Sequence, residues 1–535
     1  MKILFTLILL TSLLIGCAPA NQPTLQATPQ PDPTQTAATT SEMESTQWWN
    51  EAVFYEIFVR SFKDSNGDGI GDFNGITEKL GYLQELGINA IWLMPIHPSP
   101  SYHGYDVLNY YAVNPEYGTM QDFKNLLNEA HQRDIKIIID FVINHTSSDH
   151  PFFRDANRDP NSTYRDWYVW SDSAGDHWHQ GNDGYYYGFF WSGMPDLNYR
   201  NPEVTDQMFE ATKYWLEDVG IDGFRIDAAK HLIEEGAKLE NTDATHEWFK
   251  DFYTVYKNMN PDAYTVGEIY GAGAFLATKY TEQLDHIFNF EIASGILNSV
   301  IGESNTGINS AWNFTLKDIS DGEYATFLTN HDQNRVMSVL NGNEEKAKLA
   351  AVMLLTAPGT PFIYYGEEIG MQGKKPDEDI RLPMQWNADT NAGFTTGTPW
   401  RATDATYSQV NTDRQDQEPN SLLNLYRALT RLRAEHPVLR TGSITLLETG
   451  STDVYAIMRN NGTENILVLI NLNGEPVSDY ALNLKEKLLP DTTLTPLSLL
   501  DTTPAIPLTT HGGTFTDYKP VLELPAYQAY IFQLK

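Results

Sequence analysis

Four apolar runs in this chain end in residues able to move protons or hold charge. They are Asp140-Phe141-Val142-Ile143-Asn144-His145, Gly223-Phe224-Arg225-Ile226-Asp227, Gly267-Glu268-Ile269-Tyr270 and Phe327-Leu328-Thr329-Asn330-His331-Asp332. Any one alone would pass for a helix cap or an ion pair, but all four in order are hard to ascribe to accident. Side chains of a strand alternate between faces, so Arg225 and Asp227 share one, and the guanidinium can hold that carboxylate ionised and oriented. Such a carboxylate suits a nucleophile. Glu268, between Gly267 and Ile269 on the next run, suits the complementary part, a carboxyl that keeps its proton near neutral pH. Retaining glycoside hydrolysis uses such a pair about 5 Å apart. Asp332 adds a third carboxylate, able to hold hydroxyl groups and to raise the acid's pKa by repulsion.

A second constellation is Asp64-Ser65-Asn66-Gly67-Asp68-Gly69-Ile70-Gly71-Asp72, with oxygen donors at alternate positions and glycines that permit a tight wrap. This is the chemistry of a Ca²⁺ loop. It departs from an EF-hand, because Gly75 stands where the bidentate Glu belongs and a strand precedes the loop. A solvated Asp/Gly turn is the alternative reading.

Elements must bring these residues together. From Trp48 to about Pro437, strand-like runs alternate with helical stretches: Val53 to Val59, Ala90 to Pro95, Lys136 to Val142, Gly223 to Asp227, Tyr264 to Glu268, His286 to Phe290, Ala325 to Thr329 and Pro361 to Tyr365. The alternation predicts an α/β fold, and eight units predict a (β/α)8 TIM barrel over residues 47–144 and 199–437, with its active site at the C-terminal strand ends. Residues 145–198 are rich in Trp, Tyr, Gly and Asp and lack helical periodicity. They read as a small loop-built domain inserted after strand 3. Beyond Pro437, runs such as Val454 to Met458, Asn465 to Leu472 and Ala526 to Leu534 predict a C-terminal antiparallel β-sandwich over 438–535.

The N-terminus carries Lys2, an apolar run from Ile3 to Ile15, then Gly16-Cys17. The run is too short to span a bilayer and has the anatomy of a signal peptide over residues 1–17. Cys17 is the only cysteine, which excludes an internal disulfide. Its place resembles a bacterial lipoprotein box, so acylation of Cys17 and a cell-surface anchor are expected. Cleavage after Ala18-Pro19-Ala20 is the alternative and would release the protein. Residues 18–46, mostly Pro, Thr, Gln and Ala, cannot bury enough surface to fold and read as a disordered linker. A formal charge of −34 opposes nucleic acid and anionic lipid, leaving membrane contact only through the lipid. Aromatic residues at 12% exceed ordinary needs and suit a cleft for flat, neutral rings, though most must pack the core.

Together with Met194-Pro195-Asp196-Leu197-Asn198, the four segments resemble the signature regions of the α-amylase family, and the resemblance spans Trp48 to Lys535. It implies Asp227 as nucleophile, Glu268 as acid/base and Asp332 as transition-state stabiliser. It further implies Arg225, His145 and His331 as contacts of the sugar being cleaved, with Tyr105 of His103-Gly104-Tyr105-Asp106 stacking on it and Asp106 beside the substrate. Similar loops in the branch near oligoglucosidases hold a structural Ca²⁺, implying Asp64, Asn66, Asp68, the Ile70 carbonyl and Asp72 as ligands. Asn144 resembles a ligand of the family's other calcium site. Lys230-His231 resembles true α-amylases, where the pair helps hold glucose units beyond the cut. Leu382-Pro383-Met384-Gln385-Trp386 and the Asp64 loop resemble oligo-1,6-glucosidases, and Met194 to Asn198 lies between that branch and neopullulanases. The expected activity is retaining endo-hydrolysis of α-1,4 bonds in starch and related α-glucans by a monomer. The alternative is an exported α-glucosidase, oligo-1,6-glucosidase or transglycosylase on malto-oligosaccharides. A non-catalytic glucan-binding relative is disfavoured because all three carboxylates are present.

Overall fold

Eight parallel strands form one sheet: β1 (Phe54–Ile57), β2 (Ala90–Leu93), β3 (Lys136–Phe141), β4 (Gly223–Ile226), β5 (Tyr264–Gly267), β6 (His286–Ile287), β7 (Ala325–Thr326) and β8 (Thr360–Tyr364). Their order is β7-β8-β1-β2-β3-β4-β5-β6, and a parallel bridge from Phe288 to Ala325 joins the two ends. The sheet therefore closes into the expected barrel. The computed structural model describes residues 47–271, 274–319 and 322–535; Cys17, the apolar run before it and the linker over 18–46 lie outside the described residues.

All eight strands stop short of the C-terminal end expected from sequence. A helix begins at Val59 after β1 and another at Phe290 after β6. Strands of a closed barrel tilt and stagger, so the last residues of each run leave the ladder at the upper rim. Asp227 and Glu268 sit there, one residue past β4 and β5. Each retains one inter-strand bond, from Asp227 N–H to the Phe141 carbonyl (3.3 Å) and from Glu268 N–H to the Ile226 carbonyl (3.0 Å).

Period two sorts the strand residues. Tyr55, Ile57, Ile91, Leu93, Ile137, Ile139, Phe224 and Ile226 face outward into the layer beneath the helices. Phe54, Trp92, Ile138, Val266, Phe288 and Phe362 fill the barrel interior, with Phe54 and Phe362 stacked at 4.3 Å. Truncating either ring to alanine would cost about 3–5 kcal/mol. One step up the same inward face come Glu56, Asp140 and Arg225, each no more than 2% exposed. A charged layer thus lies on an aromatic one. Gly223 permits β4 and β5 to meet, since a Cβ there would fall 1.9 Å from the Tyr264 carbonyl oxygen.

Between β3 and β4 the inserted segment is less loop-like than its sequence predicts. It contains a helix, Pro151–Arg158, and a three-stranded sheet of Trp170–Ser171, Tyr185–Tyr187 and Trp178–Gln180. His150 caps the helix by accepting from Phe152 N–H, and Pro151 fixes its first turn. Eight residues are too few to show a period. The aromatic composition builds the packing instead: Phe153 lies edge-on to Tyr168 and Tyr186, and Phe152 stacks on Tyr164.

Helical structure persists to Thr441, after which a five-stranded antiparallel sheet runs in the order 443–446, 454–460, 465–471, 529–534, 496–498. Its central strands are apolar on both faces. Tyr455, Ile457, Ile466 and Val468 join the barrel-side core, whereas Val454, Ala456, Met458, Leu467 and Leu469 pack within the C-terminal sheets. Arg459 fastens the junction by donating to the carbonyls of Thr356, Leu439 and Gly442.

Candidate active site

Arg225 projects from β4 into the charged layer and organises it. Its Nη1 donates to both oxygens of Asp140 (2.9 and 3.1 Å) and to Oδ1 of Asp227 (2.6 Å), while Nη2 donates to Oε2 of Glu268 (2.6 Å). One buried cation thus binds the two carboxylates that the sequence pairs. Directly after Asp227, Ala228 adopts φ +47°, a left-handed turn that costs a non-glycine residue about 1 kcal/mol or more. The turn ends the strand abruptly and brings Ala228 N–H within 3.4 Å of Glu268 Oε2.

His331 lies buried beneath the opposite side and organises it. Its Nδ1 lies 2.5 Å from Glu56 Oε1, and its Nε2 lies 2.6 Å from the Tyr105 hydroxyl and 3.2 Å from Asp332 Oδ2. The Tyr105 ring stacks on the His331 ring at 5.5 Å, and its hydroxyl donates to Asp140 Oδ2 (3.0 Å). Arg381 completes the wall, with Nη2 2.8 Å from Asp332 Oδ1 and Nε donating to the His331 carbonyl (2.9 Å).

Charge follows from this packing. Burial would discharge the His331 imidazole, but Asp332 and Glu56 outweigh it and raise its pKa to about 10. Loss of water works against Asp332 as well. The His331 cation and then Arg381 prevail and hold it below the usual carboxylate range. Burial pushes Asp227 and Glu268 upward, opposed in both by Arg225. Asp332 raises both by repulsion and Asp227 adds to the rise at Glu268, so the two carboxylates titrate as a pair. His145 is buried, which lowers it to about 4 and leaves it neutral.

Two cavities meet at these groups. One, of ≈ 370 Å³, is lined by Tyr105, His145, Asp227, Asp332, Arg381 and neighbours; the other, of ≈ 500 Å³, by Lys230, His231, Phe189, Tyr270, Phe290 and neighbours. Phe190, Ala228, Glu268 and Asp332 line both. The structure therefore brings Asp227, Glu268, Asp332, Tyr105, His145, Arg225, Lys230, His231 and His331 around one cleft, with Arg225 and His331 beneath its floor. Asp106 is the exception. It is buried and accepts from the hydroxyls of Ser99 (2.6 Å) and Ser101, so it shapes the loop that carries Tyr105 and lines neither cavity. Asn144 donates to the His231 carbonyl (2.8 Å) and ties the inserted segment's base to the loop after β4.

Glu56, Asp140 and Arg381 were not singled out from the sequence. Asp140 and Glu56 carried a signal, as charged residues inside the apolar runs of β3 and β1. Arg381 carried none, since it precedes Leu382 on an irregular segment.

The Asp64 loop lies at the same end of β1. Asp64 Oδ1 accepts from Asn66 and Gly67 N–H, and Oδ2 from Gly69 N–H and Thr395. Burial opposes its ionisation, yet these bonds hold its pKa below the ordinary value. Asp72 caps the helix Phe73–Glu85 through Gly75 N–H. A Cβ at Gly75 would fall 2.0 Å from the Lys63 carbonyl oxygen, which explains why no glutamate stands there. Among the described residues, no three His, Cys, Asp or Glu side chains converge as a metal site. The donor set of Asp64, Asn66, Asp68, Asp72 and the Ile70 carbonyl is wholly oxygen and mixes carboxylate, amide and carbonyl, which fits Ca²⁺ in type.

The chain is similar to known proteins in sequence and in fold. The α-amylase catalytic-domain family matches residues 56–442. α-Amylase 3 of Dictyoglomus thermophilum is 42% identical over 82% of this chain and 88% of its own length. An oligo-1,6-glucosidase of Heyndrickxia coagulans is 35% identical over 81% of this chain and 93% of its own. The crystal structure of an α-amylase from H. orenii superposes with a TM-score of 0.79 at 39% identity, covering 90% of this chain and 99% of that one. The chain thus belongs to the α-amylase family of glycoside hydrolases.

Proposed function

We propose that this protein hydrolyses internal α-1,4 bonds of starch and related α-glucans with retention of anomeric configuration. The observation that carries the reading is Arg225 shared by Asp227 and Glu268 at the meeting of two cavities. A sugar in the Tyr105–His145 compartment presents its anomeric carbon to Asp227 and its glycosidic oxygen to Glu268. Glu268 protonates the leaving oxygen while Asp227 forms the C1–O bond. Asp332, held anionic by His331 and Arg381, accepts from sugar hydroxyls as positive charge develops on the ring. Esterification removes the Asp227 charge, which releases Glu268 from repulsion and lowers its pKa. Glu268 is then a base and takes a proton from the water that attacks C1.

Endo action on α-1,4 bonds is supported by Lys230 and His231 in the second cavity and by the α-amylases among the relatives. The 35% identity to an oligo-1,6-glucosidase supports a second reading, an α-glucosidase or transglycosylase on short oligosaccharides. Products from amylose decide between them. Internal cutting gives α-anomers first and a viscosity that falls faster than reducing ends accumulate. Glucose released from chain ends at nearly constant viscosity would replace endo hydrolysis by the second reading.

Three further features belong to the proposal. A structural Ca²⁺ is held by Asp64, Asn66, Asp68, the Ile70 carbonyl and Asp72, where it would neutralise clustered carboxylates. The protein is exported and anchored through acylated Cys17, with cleavage after Ala20 as the alternative. It acts as a monomer.

A further inference from the structure

Arg381 holds Asp332, and two further groups hold Arg381. Its carbonyl accepts from Ser61 Oγ (2.5 Å), and its guanidinium lies over the Tyr102 ring, 5.9 Å from the centroid. Both supports lead to Trp400. The indole Nε1–H donates to the same Ser61 Oγ (3.0 Å), and the indole stacks on Tyr102 at 5.4 Å with 22° between the planes. One ring therefore braces the backbone and the side chain of Arg381 by separate routes. Trp400 is fixed in turn by the Asp64 loop. Its N–H donates to the Gly69 carbonyl (2.9 Å), Asp64 N–H donates to the Phe394 carbonyl (3.1 Å), and Thr395 donates to Asp64 Oδ2. Gly69 has φ +95°, and a Cβ there would fall 1.8 Å from the Thr398 carbonyl oxygen. The loop and the segment 394–400 thus touch backbone to backbone, so a shift of one carries the other.

We propose that Trp400 is a positioning residue for the reaction, through which the Asp64 loop sets the place of Arg381 and so of Asp332. The inference rests on the part proposed above for Asp332, the carboxylate that meets positive charge as it develops on the ring. Trp400 lines neither cavity of the cleft, so it acts through Arg381 rather than on the sugar. A carboxylate in this part is effective only where its position is fixed before the reaction. Arginine is a long side chain with several torsions to restrain. The Ser61 bond restrains its root and the Tyr102 ring its head, and Trp400 holds both.

Initial rates on soluble starch test this. Trp400→Leu removes the stack and the indole donor, and kcat should fall roughly ten- to a hundredfold. KM should change far less, since Asp332 acts in the transition state. Trp400→Phe keeps a ring on Tyr102 and should recover most of the loss. Tyr102→Leu breaks the same stack from its other face without touching the Asp64 loop, and should behave as Trp400→Leu does. A double-mutant cycle shows the route. If the stack acts through Arg381, adding either leucine substitution to Arg381→Met should cost less than about a further twofold. Losses that multiply, or full kcat in both leucine variants, overturn the inference. Asp332→Asn measured in the same series separates the two claims. Near wild-type turnover there sinks the mechanism beneath, whereas a severe loss there with multiplying effects at Trp400, Tyr102 and Arg381 sinks this inference alone.

Discussion

Arg381 reaches Asp332 across 49 positions of sequence, setting Nη2 2.8 Å from the carboxylate Oδ1. The same side chain holds the His331 carbonyl. Arg381 thus fixes the position and the charge of a carboxylate that faces the cleft, without itself belonging to any of the four strand-end segments.

Replacing Arg381 by methionine should lower kcat roughly a hundredfold, the scale of losing one preorganised electrostatic contact. Removing a cation raises the pKa of the carboxylate it faced. The acid limb of the pH–kcat profile should therefore move to higher pH. An unshifted limb with a merely reduced maximum would leave Arg381 only a packing role.

Asp227→Asn and Glu268→Gln should each lower kcat by several orders of magnitude while leaving the thermal unfolding curve close to wild type, since each removes one half of a two-step reaction. Asp332→Asn should be similarly severe. Near wild-type turnover in any purified variant, contamination excluded, would refute the assignment of that residue.

His331 supplies a stability prediction with a defined sign. Its pKa is raised to about 10 in the fold, against about 6.5 in an unfolded chain. The stabilisation from binding that proton is fully present below pH ~6.5 and is lost as pH rises through the folded value. The Tm gap between wild type and His331→Asn should therefore be widest near pH 6 and narrow toward pH 10. A gap that widens with pH would contradict the charged pairing with Glu56 and Asp332.

Chelation should lower Tm, because an ion bound only by the native state stabilises it by mass action. Asp68→Ala should reproduce most of the loss and abolish any further effect of chelator. Calorimetry showing identical curves with and without chelator would leave the Asp64 loop as a hydrogen-bonded turn.

Cys17→Ser should move the protein from the membrane fraction to the medium, or block its maturation, without changing activity per folded molecule. Wild-type protein found wholly soluble with Asn21 as its first residue would favour ordinary cleavage.

Local pattern determined a great deal here. Eight apolar runs of strand length in alternation with helices fix the barrel, because parallel strands with both faces covered admit few other closures. Period two alone puts Arg225 and Asp227 on one face, and the structure finds Arg225 Nη1 2.6 Å from Asp227. Glu268 is read from sequence as the end of the fifth run, and the structure places it one residue past β5. Tertiary structure decided what pattern cannot encode. Asp106, adjacent to Tyr105 in sequence, turns inward because Ser99 and Ser101 take up its carboxylate. Glu56 and Asp140 look like isolated charges in apolar strands until closure stacks β1, β3 and β4 into one interior layer, where each meets His331 or Arg225. Arg381 comes from an irregular segment whose path no periodicity predicts. The distinction is physical. Side-chain alternation is a property of one strand and is written locally, whereas pairing among buried charges depends on which strands become neighbours, and that is settled only when the barrel closes.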